Sequence, residues 1–76
     1  MKTVTDLRAI AASGGGMILD ADRFTTTDLR AIAASTNSGG GQLFLKGLGG
    51  KTTADLRAIA ASGGGKVVFD VTIQLA

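Results

Sequence analysis

The stretch that comes nearest to a chemical motif is Lys46-Gly47-Leu48-Gly49-Gly50-Lys51-Thr52. A glycine-rich loop with a terminal Gly-Lys-Thr can cradle phosphates, because its backbone N–H groups point inward and the lysine neutralises charge. That mechanism needs a loop long enough to wrap the phosphates, as Gly-x-x-x-x-Gly-Lys-[Ser/Thr]. Gly50-Lys51-Thr52 fits the end, but the position five before Gly50 is Leu45, so the loop is too short. Thr52 also stands where a helix cap is needed. A simple anion at that helix start asks less of the sequence. The triplets Gly14-Gly15-Gly16, Gly39-Gly40-Gly41 and Gly63-Gly64-Gly65 do not form a dinucleotide fingerprint either. Leu19, Phe44 and Val68 occupy its last glycine position. The triplets also end helical segments, whereas that fingerprint starts one.

Other reactive groupings are thinner still. Asp20-Ala21-Asp22 offers two carboxylates, but a calcium loop needs more oxygen ligands and a glycine at a fixed offset, and Arg23-Phe24 follow instead. With no Cys and no His, the chain lacks a thiolate, a Cys-type zinc site and the commonest general base. Its acids are six Asp and no Glu, and its many Thr and Ser have no base poised beside them. No catalytic, cofactor-binding or metal-ligating residue is assigned, and no enzyme is expected. Arg8, Arg30 and Arg57 could form a positive column, but Asp6, Asp28 and Asp55 run beside it and no aromatic platform accompanies it. A net charge of +2 from eight basic and six acidic residues is too mild and too mixed to point to nucleic acid. The start, Met1-Lys2-Thr3-Val4-Thr5-Asp6, has no apolar signal core, and no run approaches the ~20 apolar residues of a membrane span. A cytoplasmic protein that does not engage membranes is the expectation.

The residues weighed above belong to a repeat. Asp-Leu-Arg-Ala-Ile-Ala-Ala-Ser occurs at Asp6, Asp28 and Asp55, spaced by 22 and 27 residues. Periods of this size mark arrays in which each unit covers its neighbour's apolar face. One domain over residues 1–76 is expected, with units at about 3–24, 25–51 and 52–76. Each copy opens with Thr-x-x-Asp: Thr3 to Asp6, Thr25 to Asp28 and Thr52 to Asp55. This is a capping box with Asp in place of Glu, and it puts negative charge at the positive end of the helix dipole. Phe24 could staple onto Leu29. The helices run about ten residues and stop at Gly14, Gly39 and Gly63, with Asn37 as an alternative stop for the second.

On a helical wheel, Leu7, Ile10 and Ala11 form one stripe, repeated as Leu29, Ile32, Ala33 and as Leu56, Ile59, Ala60. Arg8 and Ala12 flank it on one side, Asp6 and Ser13 on the other. Helices packed side by side in parallel would set the Arg flank of one copy against the Asp flank of the next. That predicts an Arg–Asp ladder, such as Arg8 with Asp28 or Arg30 with Asp6.

Strands are expected over Met17–Ala21, Gln42–Lys46 and a longer stretch from Lys66 to about Leu75. Strands joined through helices pair in parallel. The fold class is therefore α/β: three helix–strand repeats forming a three-stranded, mainly parallel sheet with helices on one face, solenoid-like. Aligned by repeat, Leu19, Phe44 and Val68 share the face opposite Ile18, Leu43 and Val67. Both faces are then apolar, and one helix layer covers only one of them. The last strand is also an open edge. At 76 residues the chain is near the size where burial alone leaves a thin margin, and self-association is the remaining supplement. The expected interface is Leu19, Phe44, Val68, Val71, Ile73 and Leu75, and the expected state is a homo-oligomer, with a dimer favoured.

The pattern Thr-Thr-x-Asp-Leu-Arg-x-Ile-Ala-Ala-Ser-Gly-Gly-Gly followed by a short strand resembles small tandem α/β repeat proteins of bacteria and their mobile elements, or a consensus or designed version of them. The resemblance covers nearly the whole chain and implies fold rather than activity. The functional expectation is a non-enzymatic, self-associating structural or interaction protein. Its alternative is a small protein-binding module, such as a mobile-element-encoded inhibitor with a foreign protein partner. Phosphate or nucleic-acid binding is the remote third reading.

Overall fold

The computed structural model describes residues 3–72. The chain alternates helix and strand: α1 (Val4–Ala12), β1 (Met17–Asp20), α2 (Thr26–Gly39), β2 (Leu43–Lys46), α3 (Thr53–Gly63) and β3 (Val67–Phe69). Short 3-10 turns at Ala21–Arg23 and Leu48–Gly50 lead from the first two strands to the next helices. The strands form one parallel sheet in the order β1-β2-β3. This is the expected α/β architecture of three helix–strand units.

Every helix begins on its threonine. Thr3, Thr25 and Thr52 each accept the backbone N–H three residues on, at 3.1 Å. In the first and third copies the Asp reaches back as well, Asp6 to the Thr3 N–H (3.1 Å) and Asp55 to the Thr52 N–H (3.2 Å). These reciprocal bonds satisfy donors that a helix start otherwise leaves open. Phe24 and Leu29 pack into the same core cluster. The second helix runs through Asn37 and Ser38 to Gly39. Inside it the buried Thr36 hydroxyl donates to the Ile32 carbonyl at 2.9 Å, so the polar group is satisfied without interrupting the helix.

The core lies between the helices and one sheet face. Leu7, Leu29, Ile32, Ala33 and Ile59 from the helices meet Leu43 and Leu45 from the central strand. Leu48 and Ala21, from the two 3-10 turns, close one end and are fully buried. Burying each large side chain here stabilises by roughly 1.5–3 kcal/mol, and together they hold the helices on the sheet.

The first two helices meet flush at their C-terminal ends. Gly39 lies so close to the end of α1 that an added Cβ would run into the Ala11 carbonyl oxygen, and Gly41 approaches the Gly14 and Gly15 carbonyls in the same way. Arg8 is likewise level with Ser35, to which its Nε donates at 3.5 Å. These neighbours are 26 to 28 residues apart, whereas equivalent helix positions of the two copies are 22 apart. The reason is length. α2 has 14 residues and α1 has 9, so flush C-termini push the start of α2 about five residues past that of α1.

That offset corrects the expected ladder. Asp28 lies seven residues before Ser35, about 10.5 Å of helix rise from the level of Arg8. The side-chain hydrogen bonds among the described residues include no Arg–Asp pair, and Arg8 bonds Ser35 instead. Ser35 is the counterpart of Ser13 on the Asp flank, so flank does meet flank, but at another level. By the same register Ile10 is level with Asn37, past the apolar part of α2. Ile10 is exposed while its counterparts Ile32 and Ile59 are fully buried.

Because backbone meets backbone at Gly39, Gly39→Ala is expected to destabilise the fold by about 2 kcal/mol or more, by overpacking where neither partner is a movable side chain. Gly16→Ala is the control. Its Cβ would find only the Gln42 carbonyl at an ordinary 3.6 Å. Urea denaturation should show a change within about 0.5 kcal/mol for this second variant.

Candidate functional site: the uncovered sheet face

Strand register decides which side chains face away from the helices. Met17 pairs with Leu43 and Val67, Ile18 with Phe44 and Val68, and Leu19 with Leu45 and Phe69. The first and third rows face the helices: Leu43 and Leu45 are fully buried, and Met17, Leu19, Val67 and Phe69 pack against the core. The middle row faces outward, with Ile18 exposed to 70 %, Phe44 to 39 % and Val68 to 37 %.

This corrects one member of the expected interface. Leu19 lies on the helix face, and Ile18 takes its place beside Phe44 and Val68. The cause is a shift of one residue in the first copy, traceable to where the helices stop. The left-handed glycine that turns the chain out of α2 and α3 is the second of its triplet, Gly40 (φ 84°) and Gly64 (φ 59°). After α1 it is the first, Gly14 (φ 93°), behind a Ser13 cap. In all three copies two residues then lead to the first strand residue, so β1 enters the sheet one residue early within its unit. A one-residue slip turns every side chain to the other face.

The expected C-terminal strand is also shorter in its described part. Within the described residues the ladder continues past β3 by one bond, Asp70 N–H to the Leu45 carbonyl at 2.8 Å. Asp70 Oδ1 accepts from the Thr72 hydroxyl at 2.6 Å and from the Thr72 N–H at 3.1 Å, forming a local turn. Val71, which precedes Thr72, is 47 % exposed. Ile73 and Leu75 lie outside the described residues.

The outer face is thus one apolar row between two polar ones. On one side Asp20 and Lys46 are paired in register, and Asp70 follows on β3. On the other stand Gly16, Gln42 and Lys66, each just ahead of its strand. A shallow depression lined by Gly16, Met17, Ile18, Gln42 and Phe44 opens beside the row. It is largely apolar, with Gln42 the one polar side chain.

The motif candidates serve the fold. Lys51 Nζ donates to the Phe24 carbonyl at 2.8 Å, which ties the loop after β2 to the loop after β1. Leu48, in the middle of the phosphate-loop look-alike, is fully buried. The loop is therefore folded inward on its leucine. Asp20 Oδ1 accepts the Asp22 N–H at 3.1 Å and caps the first 3-10 turn. Its carboxylate also lies where a side chain on Gly47, a left-handed residue (φ 68°), would have to go. Among the described residues no three acidic side chains gather as a metal-ligand group. Among the described residues no helix is long and apolar enough to cross a membrane.

Sequence reasoning missed Ile18. The signal was available in the position of Gly14 within its triplet, but it needs the helix end point to be read.

The Thr72 hydroxyl, and after it the Thr72 N–H, hold the Asp70 carboxyl below the usual carboxylate range. A lowered folded-state pKa means that this contribution to stability is present above the ordinary Asp pKa and is lost as pH falls through the folded value. Thr72→Ala removes the larger cause. It is expected to move the Asp70 titration upward, toward the ordinary value, in a carboxyl NMR titration.

Comparison of the chain with known protein families, with curated proteins and with solved structures finds no match, so its function is argued from its own residues.

Proposed function

We propose that this chain is a non-enzymatic structural module that works by self-association, two copies covering each other's outer sheet faces. The observation that carries the reading is the row Ile18–Phe44–Val68, which crosses all three strands on the face without helices. Parallel sheets are ordinarily covered on both faces, because their strands are apolar on both. Here the outward row Ile18–Phe44–Val68 is wholly apolar, and the outward polar residues of the strands, Asp20 and Lys46, stand at their ends.

The polar inventory supports the same reading. The Thr3, Thr25 and Thr52 hydroxyls, Asp6, Asp20, Asp55 and Lys51 are engaged in caps and loop ties. What remains exposed around the apolar row is charge suited to the rim of an interface.

Size sets the strength. Three strands of about four residues make a face of roughly 14 by 13 Å, well under the ~800 Å² per partner of a standard stable interface. Burying one exposed apolar side chain stabilises by up to about 2–3 kcal/mol, and association costs at least about 4 kcal/mol. The balance favours a weak dimer, formed in the micromolar to sub-millimolar range.

Sedimentation equilibrium over that range is expected to show a reversible monomer–dimer exchange. Phe44→Asp should shift it to monomer while the circular dichroism spectrum is unchanged, because Phe44 is not in the core. A wild-type chain that stays monomeric at sub-millimolar concentration would overturn the reading.

A further inference from the structure

The charges around the apolar row carry information about how a second copy sits, and an inference drawn from them rests on the self-association reading above. Two identical faces can meet about a two-fold axis lying in the interface in two ways. If the axis runs along the strands, strand directions agree and β1 of one copy faces β3 of the other. Asp20 then faces Asp70 twice over, and Lys46 faces its own copy. If the axis runs across the strands, along Ile18–Phe44–Val68, strand directions oppose and each strand faces its counterpart. Asp70 then faces Lys66, Lys46 faces Gln42, and Asp20 faces the bare Gly16.

We infer that two copies of this chain pack with their strands antiparallel, the rows Ile18–Phe44–Val68 stacked on each other and closed at the rim by two Asp70–Lys66 pairs. Like charges directly opposed are destabilising and opposite charges favourable, and the first arrangement has only like pairs while the second has none. The parts fit. Aligned sheet packing leaves about 10 Å between backbones and turns one sheet by about 30°, a gap that a lysine and an aspartate can bridge from opposite sides. Asp70 Oδ1 is taken by Thr72, while Oδ2 accepts none of the hydrogen bonds among the described residues. Gly16 has no side chain to obstruct Asp20. The symmetric contact is also closed, so it ends at a dimer and does not propagate into a fibre.

The test is sedimentation at low ionic strength of the wild type, Lys66→Asp, Asp70→Lys and the double exchange, with circular dichroism to confirm folding. Antiparallel packing predicts that each single reversal weakens dimerisation by about tenfold, since two rim contacts turn repulsive, and that the double exchange restores it. Parallel packing predicts the opposite for Asp70→Lys, which would face Asp20 and tighten the dimer, and no change for Lys66→Asp, which would face Gly16. Either of those results overturns the orientation. Lys66→Asp leaves the Thr72 bonds intact, so it decides the matter even if Asp70→Lys disturbs the turn. If the wild type dimerises and only the charge exchange fails to restore, the orientation falls and the self-association stands. If the wild type does not dimerise, both fall.

Discussion

Three helices rest on a sheet of three strands, and they reach only one of its faces. Everything else in the molecule follows from that contact. It requires Leu43 and Leu45 of the central strand to be buried, and they are, beneath Leu7, Leu29, Ile32 and Ile59. It requires the connecting loops to close the end of the core, which Leu48 and Ala21 do from within 3-10 turns. And it leaves the opposite face to solvent, although the strands are no less apolar there. In a domain this small the buried face has little excess stability to spare.

The glycines have distinct roles in this arrangement. Gly14, Gly40 and Gly64 supply the left-handed turn that redirects the chain from helix to strand. Gly39 serves a different purpose, letting the end of one helix rest directly on the end of its neighbour. Since the first two helices differ in length, that contact sets their starts out of step. The repeated Arg and Asp residues consequently do not meet as their spacing suggests. Identity of sequence between the copies does not impose identity of environment: Ile10 is exposed where Ile32 and Ile59 are buried.

The polar residues that invite a chemical reading are mostly occupied in local structure. Lys51 holds the Phe24 carbonyl, Asp20 caps a turn, and each repeat threonine caps a helix. The outer face, by contrast, has a clear division into an apolar row and charged borders. That division is what makes an assembly reading specific enough to include an orientation.

Local rules were readable from the residues alone. The Thr-x-x-Asp caps, the helix and strand order, the parallel pairing and the apolar stripes depend on contacts within a few residues, so the sequence by itself determined them. Of the candidate site, Phe44, Val68 and Val71 were legible as exposed apolar residues, while Leu19 was read onto the wrong face. What only the tertiary structure decided was relative position: where along its triplet each helix stops, how far α2 slides past α1, and so which of Ile18 and Leu19 faces outward. These depend on how backbones fit against one another at Gly39 and Gly41, a contact between residues about 27 apart. A repeat unit read alone contains no information about the level at which its neighbour will sit, and a displacement of one residue is enough to exchange the two faces of a strand.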